Sequence, residues 1–468
     1  MKTKLPMLVL VLSFAMLFSM LPLPTLSAEE PEPVINETMS LDFDIEPAQC
    51  KPLVGCAGEG GEIPYNLDMI DREKVCATGE DVYVAVLDTG LLYNWMEYLP
   101  VENIVTEWGK GYSYETIYWD NGWWLDDPNE DRGFITAEHP IFGPIGSGHG
   151  THVTSTITGF NYVSSVYGEF WVDGVAPDVN IIPVLVLDAW VGYRPGYGYY
   201  LVTGGTEWMV SSGIRYCADL AEQEGIKIVI SMSLGGASPM AEVEEAIDYA
   251  IGKGCIVVAA AGNAGEAGMD YPGAYSQVIS AAMGGWTMQW FGDGETSPWW
   301  LSDVPERFWT EDDLGNEFQL YLDDISGRPN STLGQSICDL DVCTPGAWIV
   351  GPYRPYLGQF GYWYVGGTSM ATPHVSGIAA LVLEKYPNIN QRKMELILKT
   401  AALLNRMTKW FEERSAIVYD PIVGDLIEVG PWGPFDYGTG FLQADTAMLI
   451  ASFMHRFRGS NRFYAMPN

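Results

Sequence analysis

Short apolar runs separated by amphipathic stretches set the pattern of this chain. Residues 82–87 form a β-branched, apolar run that ends in Asp88-Thr-Gly90. Residues 226–230 and 255–261 repeat that form, each followed by a glycine-containing turn. Runs of this length without polar alternation predict strands buried on both faces. Apolar positions recur at helical spacing over 202–224, 240–251, 377–386 and 391–404. Strands alternating with helices predict an α/β fold, a mostly parallel central sheet covered by helices on both faces. In such a sheet a functional site forms outside the carboxyl ends of the strands. Two stretches, 93–145 and 284–336, break the alternation with crowded Trp, Tyr, Asp and Glu. Loops this long in a compact domain are binding loops, lids or local decorations.

The ends carry a different pattern. Lys2 and Lys4 precede an apolar run to Leu26, and Ser27-Ala28 stands before Glu29-Glu30. This reads as a secretory signal peptide over 1–28, with Pro22 and Pro24 interrupting what would otherwise be a membrane anchor. No later stretch approaches ~18 uninterrupted apolar residues, so no membrane span is expected after signal removal. Residues 29–61, rich in Pro, Glu and Gly, read as a short N-terminal extension or the remnant of a pro-segment. The main domain is expected over 62–453, followed by a tail at 454–468.

Composition narrows the function. The 468 residues include 60 acidic against 24 basic side chains, a formal charge of −36. That balance excludes nucleic acid as a partner, because phosphate binding needs clustered Lys and Arg. The 47% hydrophobic content excludes a disordered chain. The acidity has three readings: solubility in high salt, steering of basic substrates, or oxygen ligands for calcium. A solvated acidic surface accounts for most of these carboxylates. Seven cysteines are too few for a disulfide scaffold, although export permits pairing. Cys338 with Cys343, and Cys50 with Cys56, are spaced to close small loops; Cys76, Cys217 and Cys255 remain. The odd count leaves at least one thiol free or paired between chains, and buried thiols are an equal alternative.

Only five histidines exist: His139, His149, His152, His374 and His455. Two lie in Gly148-His149-Gly-Thr-His152, and a third follows Gly366-Gly-Thr-Ser369-Met-Ala-Thr-Pro-His374. A serine hydroxyl is a weak nucleophile until a base takes its proton. Histidine is the base suited to neutral pH, and a carboxylate fixes its tautomer. Asp88 at a strand end, His149 in a glycine-flanked turn and Ser369 before a helix supply these roles in the order Asp, His, Ser. No G-x-S-x-G occurs, which counts against a lipase or esterase. His152 and His374 are expected to pack around the site.

These motifs resemble the three active-site segments of the subtilisin-like serine proteases. The likeness extends to Gly174-Val-Ala-Pro177, Ser231-Met-Ser-Leu-Gly-Gly236, Ala259-Ala-Ala-Gly-Asn263, Tyr271-Pro-Gly-Ala-Tyr275 and Tyr437-Gly-Thr-Gly-Phe-Leu442. It covers about residues 62–453, apart from insertions near 93–145 and 284–336. The resemblance implies a three-layer α/β/α subtilisin-like fold and a secreted, extracellular endopeptidase acting on protein or peptide substrates through an acyl-enzyme. Ser369 would be the nucleophile, His149 the general base and then acid, and Asp88 the orienting carboxylate. Asn263 would donate its amide to the oxyanion with the backbone N–H of Ser369. Ser233, Leu234 and Gly235 would form one wall of the primary specificity pocket, and Ala260, Ala261 and Gly262 the other. Asp270 would sit at its base, and an unpaired buried carboxylate there predicts a preference for Lys or Arg before the scissile bond.

The resemblance implies calcium as a structural ion and no organic cofactor. Asp127, Asn129 and Asp131 place oxygen side chains at alternate positions, Glu97 stands nine residues after Asp88, and Asn161 follows the His149 segment. Secreted members carry a folded pro-domain, whereas about 30 residues separate Ala28 from the domain start, too few for such a core. Folding without a helper, or a pro-domain or inhibitor acting in trans, are the two expectations. Two rivals remain: a binding protein that keeps the fold without turnover, and an esterase or peptide ligase using the same three residues.

Overall fold

The computed structural model describes residues 61–119, 123–129, 146–194, 198–290, 298–304, 320–354, 361–406, 414–433 and 435–458. The signal, the N-terminal extension, Cys50 and Cys56 lie outside them. Six strands build the central sheet: β1 (Tyr83–Asp88), β2 (Asn180–Leu185), β3 (Ile228–Met232), β4 (Ile256–Ala260), β5 (Ile279–Trp286) and β6 (Val342–Pro345). All six are parallel, in the order β6-β5-β4-β3-β1-β2. A two-residue strand, Lys110–Gly111, extends the β2 edge, and Leu320–Leu322 pairs antiparallel with the end of β5.

The apolar runs explain the layers. Successive strand residues point to opposite faces, so a continuous run feeds two cores. Val84 and Val86 of β1 join Val153, Ile157, Val375 and Ile378 on one face. Ala85 and Leu87 join Met209, Ile214, Val243 and Ile247 on the other. The first face is covered by α1 (Gly146–Thr158) and α4 (Thr368–Lys385), with α5 (Gln391–Arg406) and α6 (Ala444–Arg458) beside them. The second is covered by α2 (Glu207–Glu224) and α3 (Ala241–Gly252). This is the expected three-layer α/β/α arrangement.

Several boundaries differ from the sequence reading. Helix α2 does not begin at Val202. Residues Gly198–Gly204 are a strand, paired with Asp188–Arg194. The helix starts after Thr206, whose hydroxyl accepts from the N–H of Met209, and ends at Gly225 in the left-handed region. The aromatic and β-branched residues at 199–203 favour the strand. The helix expected over 377–386 is the second half of α4.

The Ser113–Trp119 and Trp123–Asn129 hairpin accounts for part of the first insertion. It packs beside the Asp188–Arg194 strand, and both hairpins leave from the carboxyl end of β2. The second insertion opens as a continuation of β5 rather than as a loop. The small loop between Cys338 and Cys343 is not closed: both are free thiols, Cys338 exposed and Cys343 buried against the core. Cys76, Cys217 and Cys255 are free as well. Among the described residues no helix is long and apolar enough to cross a membrane.

Candidate active site

Asp88 closes β1, and its buried carboxylate faces His149. Oδ1 lies 2.8 Å and Oδ2 3.0 Å from Nδ1 of the imidazole, and Oδ1 also accepts the Thr89 N–H at 2.7 Å. An ionised carboxylate only accepts, so opposite it Nδ1 carries the proton and Nε2 keeps its lone pair. The contact depends on close packing of α1 against the turn after β1. Gly150 stands where a Cβ would fall 2.3 Å from the carbonyl oxygen of Gly90. Its N–H donates to Thr89 Oγ1 at 2.9 Å, and Leu92 N–H donates to Thr151 Oγ1 at 2.9 Å. These bonds stitch the histidine helix to the aspartate turn.

Ser369 is the second residue of α4, where free N–H groups and the helix dipole favour negative charge. Asn263, in the loop after β4, accepts from Thr368 N–H at 2.9 Å and from its hydroxyl at 3.0 Å through Oδ1. The Thr368 hydroxyl in turn accepts the Gly262 N–H at 3.1 Å. The amide oxygen of Asn263 is thereby committed, which leaves Nδ2 as the donor end of the side chain. Sheet register supplies the rest of the convergence. Val86 pairs with Ser231, so Asp88 and Ser233 lie two residues beyond that rung on adjacent strands. Ser369 Oγ donates to the Ser233 carbonyl at 3.2 Å. Strand β1 connects toward β2 and strand β3 toward β4, so the site occupies the point where the strand order reverses.

Beside Ser369, the segments 233–235 and 260–262 run next to Asp270. Asp270 N–H donates to the Ala261 carbonyl at 2.8 Å, and Gly236 and Tyr271 exchange two backbone bonds of 2.8 Å. A Cβ on Gly235 would fall 2.7 Å from the Asp270 Cβ, and one on Gly262 2.6 Å from its carboxylate. Two glycines therefore make room for this side chain, and Gly262 also adopts a φ of +96°. Asp270 is 3% exposed. Burial pushes its carboxyl up to about 6. Leu234, Ala260 and Ala261 are buried, and Ala261 packs into the core beneath rather than standing at the surface.

A sequence model described as the Subtilase family matches residues 79–419. The chain belongs to the subtilase family. Subtilisin DY from Bacillus licheniformis is 27% identical over 349 residues, 73% of this chain and 91% of that protein. Thermitase from Thermoactinomyces vulgaris is 33% identical over 244 residues, 51% of this chain and 61% of that one. Sphericase shares the fold, with a TM-score of 0.50, 24% identity and coverage of 82% of this chain and 98% of its own. The protein is a subtilisin-like serine peptidase.

His152 and His374 of this subtilase are structural in their surroundings. His152 Nε2 lies 2.9 Å from the Ile349 carbonyl. His374 Nδ1 donates to the Met370 carbonyl at 2.8 Å, and its Nε2 accepts from Asn66 at 2.8 Å. Burial pushes the two imidazoles down to about 3 and about 4, so both are neutral at neutral pH. Sequence reasoning missed Thr89, Thr151 and Thr368. The signal was present: a threonine stands within two positions of each of Asp88, His149 and Ser369.

The calcium expectation finds no assembled site in the described part of the subtilase. No group of three or more His, Cys, Asp or Glu that could hold a metal exists among the described residues. Glu97 accepts from Asn94 at 3.1 Å, and Asn161 donates to Glu169 at 2.7 Å, so each oxygen or amide serves a neighbour. Asn161 lies on the Gly159–Ser164 strand rather than in a loop. Asp127 and Asn129 fall on the Trp123–Asn129 strand, not in the calcium-type turn expected there, and Asp131 lies outside the described residues.

Proposed function

We propose that this subtilase cleaves protein or peptide substrates with Ser369 as nucleophile, His149 as general base and Asp88 as its orienting carboxylate. The observation that carries the reading is the buried contact between Asp88 and His149 Nδ1. Ser369 Oγ attacks the scissile carbonyl as His149 Nε2 takes its proton. The resulting oxyanion is held by Asn263 Nδ2 and the Ser369 N–H. His149 then returns the proton to the leaving amine as the C–N bond breaks. A water molecule, deprotonated by the same imidazole, hydrolyses the acyl-enzyme and frees Ser369.

Asp270 supports a preference for Lys or Arg before the scissile bond, Arg above Lys for its planar fork. A buried carboxylate between two glycines, beside segments that carry no cation, is stabilised by a charged partner from the substrate. Residues 1–28 support secretion, with 29–61 as a short extension and 62–453 as the catalytic domain. N-terminal sequencing of the exported protein tests that division. The activity is tested with matched peptides carrying Arg, Lys, Phe or Leu before the scissile bond. Cleavage is expected to rank Arg and Lys first and to vanish in Ser369→Ala. Cleavage that survives this substitution would remove Ser369 from the mechanism.

A further inference from the structure

We infer that Ser233 is a positioning residue for the nucleophile, holding the Ser369 carbonyl that Pro373 leaves without its helical partner. The inference rests on the assignment of Ser369 as nucleophile. In an α-helix each carbonyl accepts from the N–H four residues on. For Ser369 that residue is Pro373, which lies inside α4 and has no N–H to give. The proline ring also crowds the carbonyl four residues back, turning it away from the helix axis. The Ser233 hydroxyl meets it: Oγ donates to the Ser369 carbonyl at 2.6 Å. The exchange is reciprocal, since Ser369 Oγ donates to the Ser233 carbonyl at 3.2 Å.

Both flanks of Ser369 are therefore fixed by groups outside its own helix. On the N-terminal side, Asn263 and Gly262 hold Thr368. On the C-terminal side, Ser233 holds the Ser369 carbonyl. Ser233 itself is 3% exposed and lies one residue beyond β3, next to the strand that carries Asp88. A partly buried carbonyl stripped of its donor is costly, so the local structure shifts to find another. A shift of the serine by a fraction of an ångström misaligns its Oγ and its N–H together.

The test pairs Ser233→Ala with Pro373→Ala. Activity is measured on an Arg peptide, with competent sites counted by an irreversible organophosphorus reagent so that misfolded protein drops out. Ser233→Ala is expected to lower kcat about tenfold, with KM within about twofold. In the Pro373→Ala background the same change is expected to cost less than about threefold, because an alanine there restores an N–H for the Ser369 carbonyl. An unchanged kcat in Ser233→Ala overturns the inference. Equal losses in both backgrounds also overturn it, as does a change confined to KM, which would make Ser233 a pocket wall and nothing more. Wild-type cleavage that Ser369→Ala leaves intact overturns the nucleophile assignment itself, and this inference with it.

Discussion

Replacing Asp270 with Asn isolates the charge that we propose lies at the base of the specificity pocket while keeping its shape. Lifting a carboxyl from its ordinary value near 3.8 to about 6 corresponds to ~3 kcal/mol of penalty on the ionised form. The cause is burial, and the segments around it add no relief. Residues 233–236, 260–263 and 269–274 contain no Lys, Arg, His or Glu and no second Asp, and Tyr271 is their one other titratable side chain. A substrate guanidinium entering the pocket supplies a charge-assisted hydrogen bond worth about 1.5–3 kcal/mol. That is roughly a 10- to 150-fold preference for Arg over citrulline, its neutral isostere. The assay is the ratio of kcat/KM for these two peptides between pH 5 and 8. Both substrates meet the same free enzyme, so ionisations that govern the chemical step alone cancel from the ratio. The ratio is expected to be largest at pH 8, to fall as pH drops through about 6, and to lie near one at every pH in Asp270→Asn. A wild-type ratio that does not move with pH, or one that survives the substitution, refutes the argument.

The same carboxyl sets a stability signature of defined sign. Its pKa is higher folded than unfolded, so between about 4 and 6 the native state binds the extra proton. Stability is lost as pH rises through that window, and Asp270→Asn should gain in urea midpoint over wild type at pH 8 but not at pH 4. Asp68→Asn should behave likewise over a wider span, because burial first and the nearby Glu73 and Asp303 next push that carboxyl up to about 7. Asn263→Ala should lower kcat on the order of 10²–10³ with little change in KM, and steady-state kinetics that show less than threefold would end its oxyanion role. Asp88→Asn should lower kcat about 10⁴-fold by favouring the wrong imidazole tautomer, read by the same kinetics. Gly150→Ala should abolish most activity in the folded fraction, since the added methyl would fall 2.3 Å from the Gly90 carbonyl and must lever α1 off the aspartate turn.

What was legible in the chain follows from how each element is buried. Strands β1, β3 and β4 lie between helices on both faces, so their sequences are continuous apolar runs and could be read directly. Strand β2 was missed although it is also in the sheet. It opens on Asn180 and contains Pro183, and a proline argues against a strand interior because it cannot donate to a ladder. The structure tolerates it because β2 is nearly an edge: on its outer side Ile181 bridges to Ile104, Val184 and Leu185 pair with Lys110–Gly111, and Pro183 is passed over. The hairpin in the first insertion was hidden for a related reason: Tyr118-Trp119 and Trp123-Trp124 are adjacent aromatic pairs, so no period of two marks its strands Ser113–Trp119 and Trp123–Asn129. Alternating oxygen side chains along 127–131 are as much a strand signal as a ligand-loop signal, and Asp127 and Asn129 are on a strand.

The family's motifs were more legible than the element boundaries because they depend on residue identities at fixed spacing, whereas the approach of their side chains depends on neighbours that only the structure connects. Asp88 and His149 are 61 residues apart, and the bonds that bring them together involve Thr89 and Thr151 as acceptors for backbone N–H groups. Asn263 and Ser369 are likewise joined through Thr368. A threonine hydroxyl both donates and accepts, so one side chain can settle two partners in a site where a buried unpaired group is costly. Thr368 does so, accepting from Gly262 while donating to Asn263. The glycines of the same motifs act by what they omit. At Gly150 and Gly262 a side chain would occupy the space that the Gly90 carbonyl and the Asp270 carboxylate fill. The motif residues therefore divide the work: the polar ones fix orientation, the glycines permit approach, and the order of the parallel strands delivers both to the carboxyl edge between β1 and β3. Changing a threonine should leave the fold and degrade alignment, whereas changing Gly150 should separate the two elements that alignment requires.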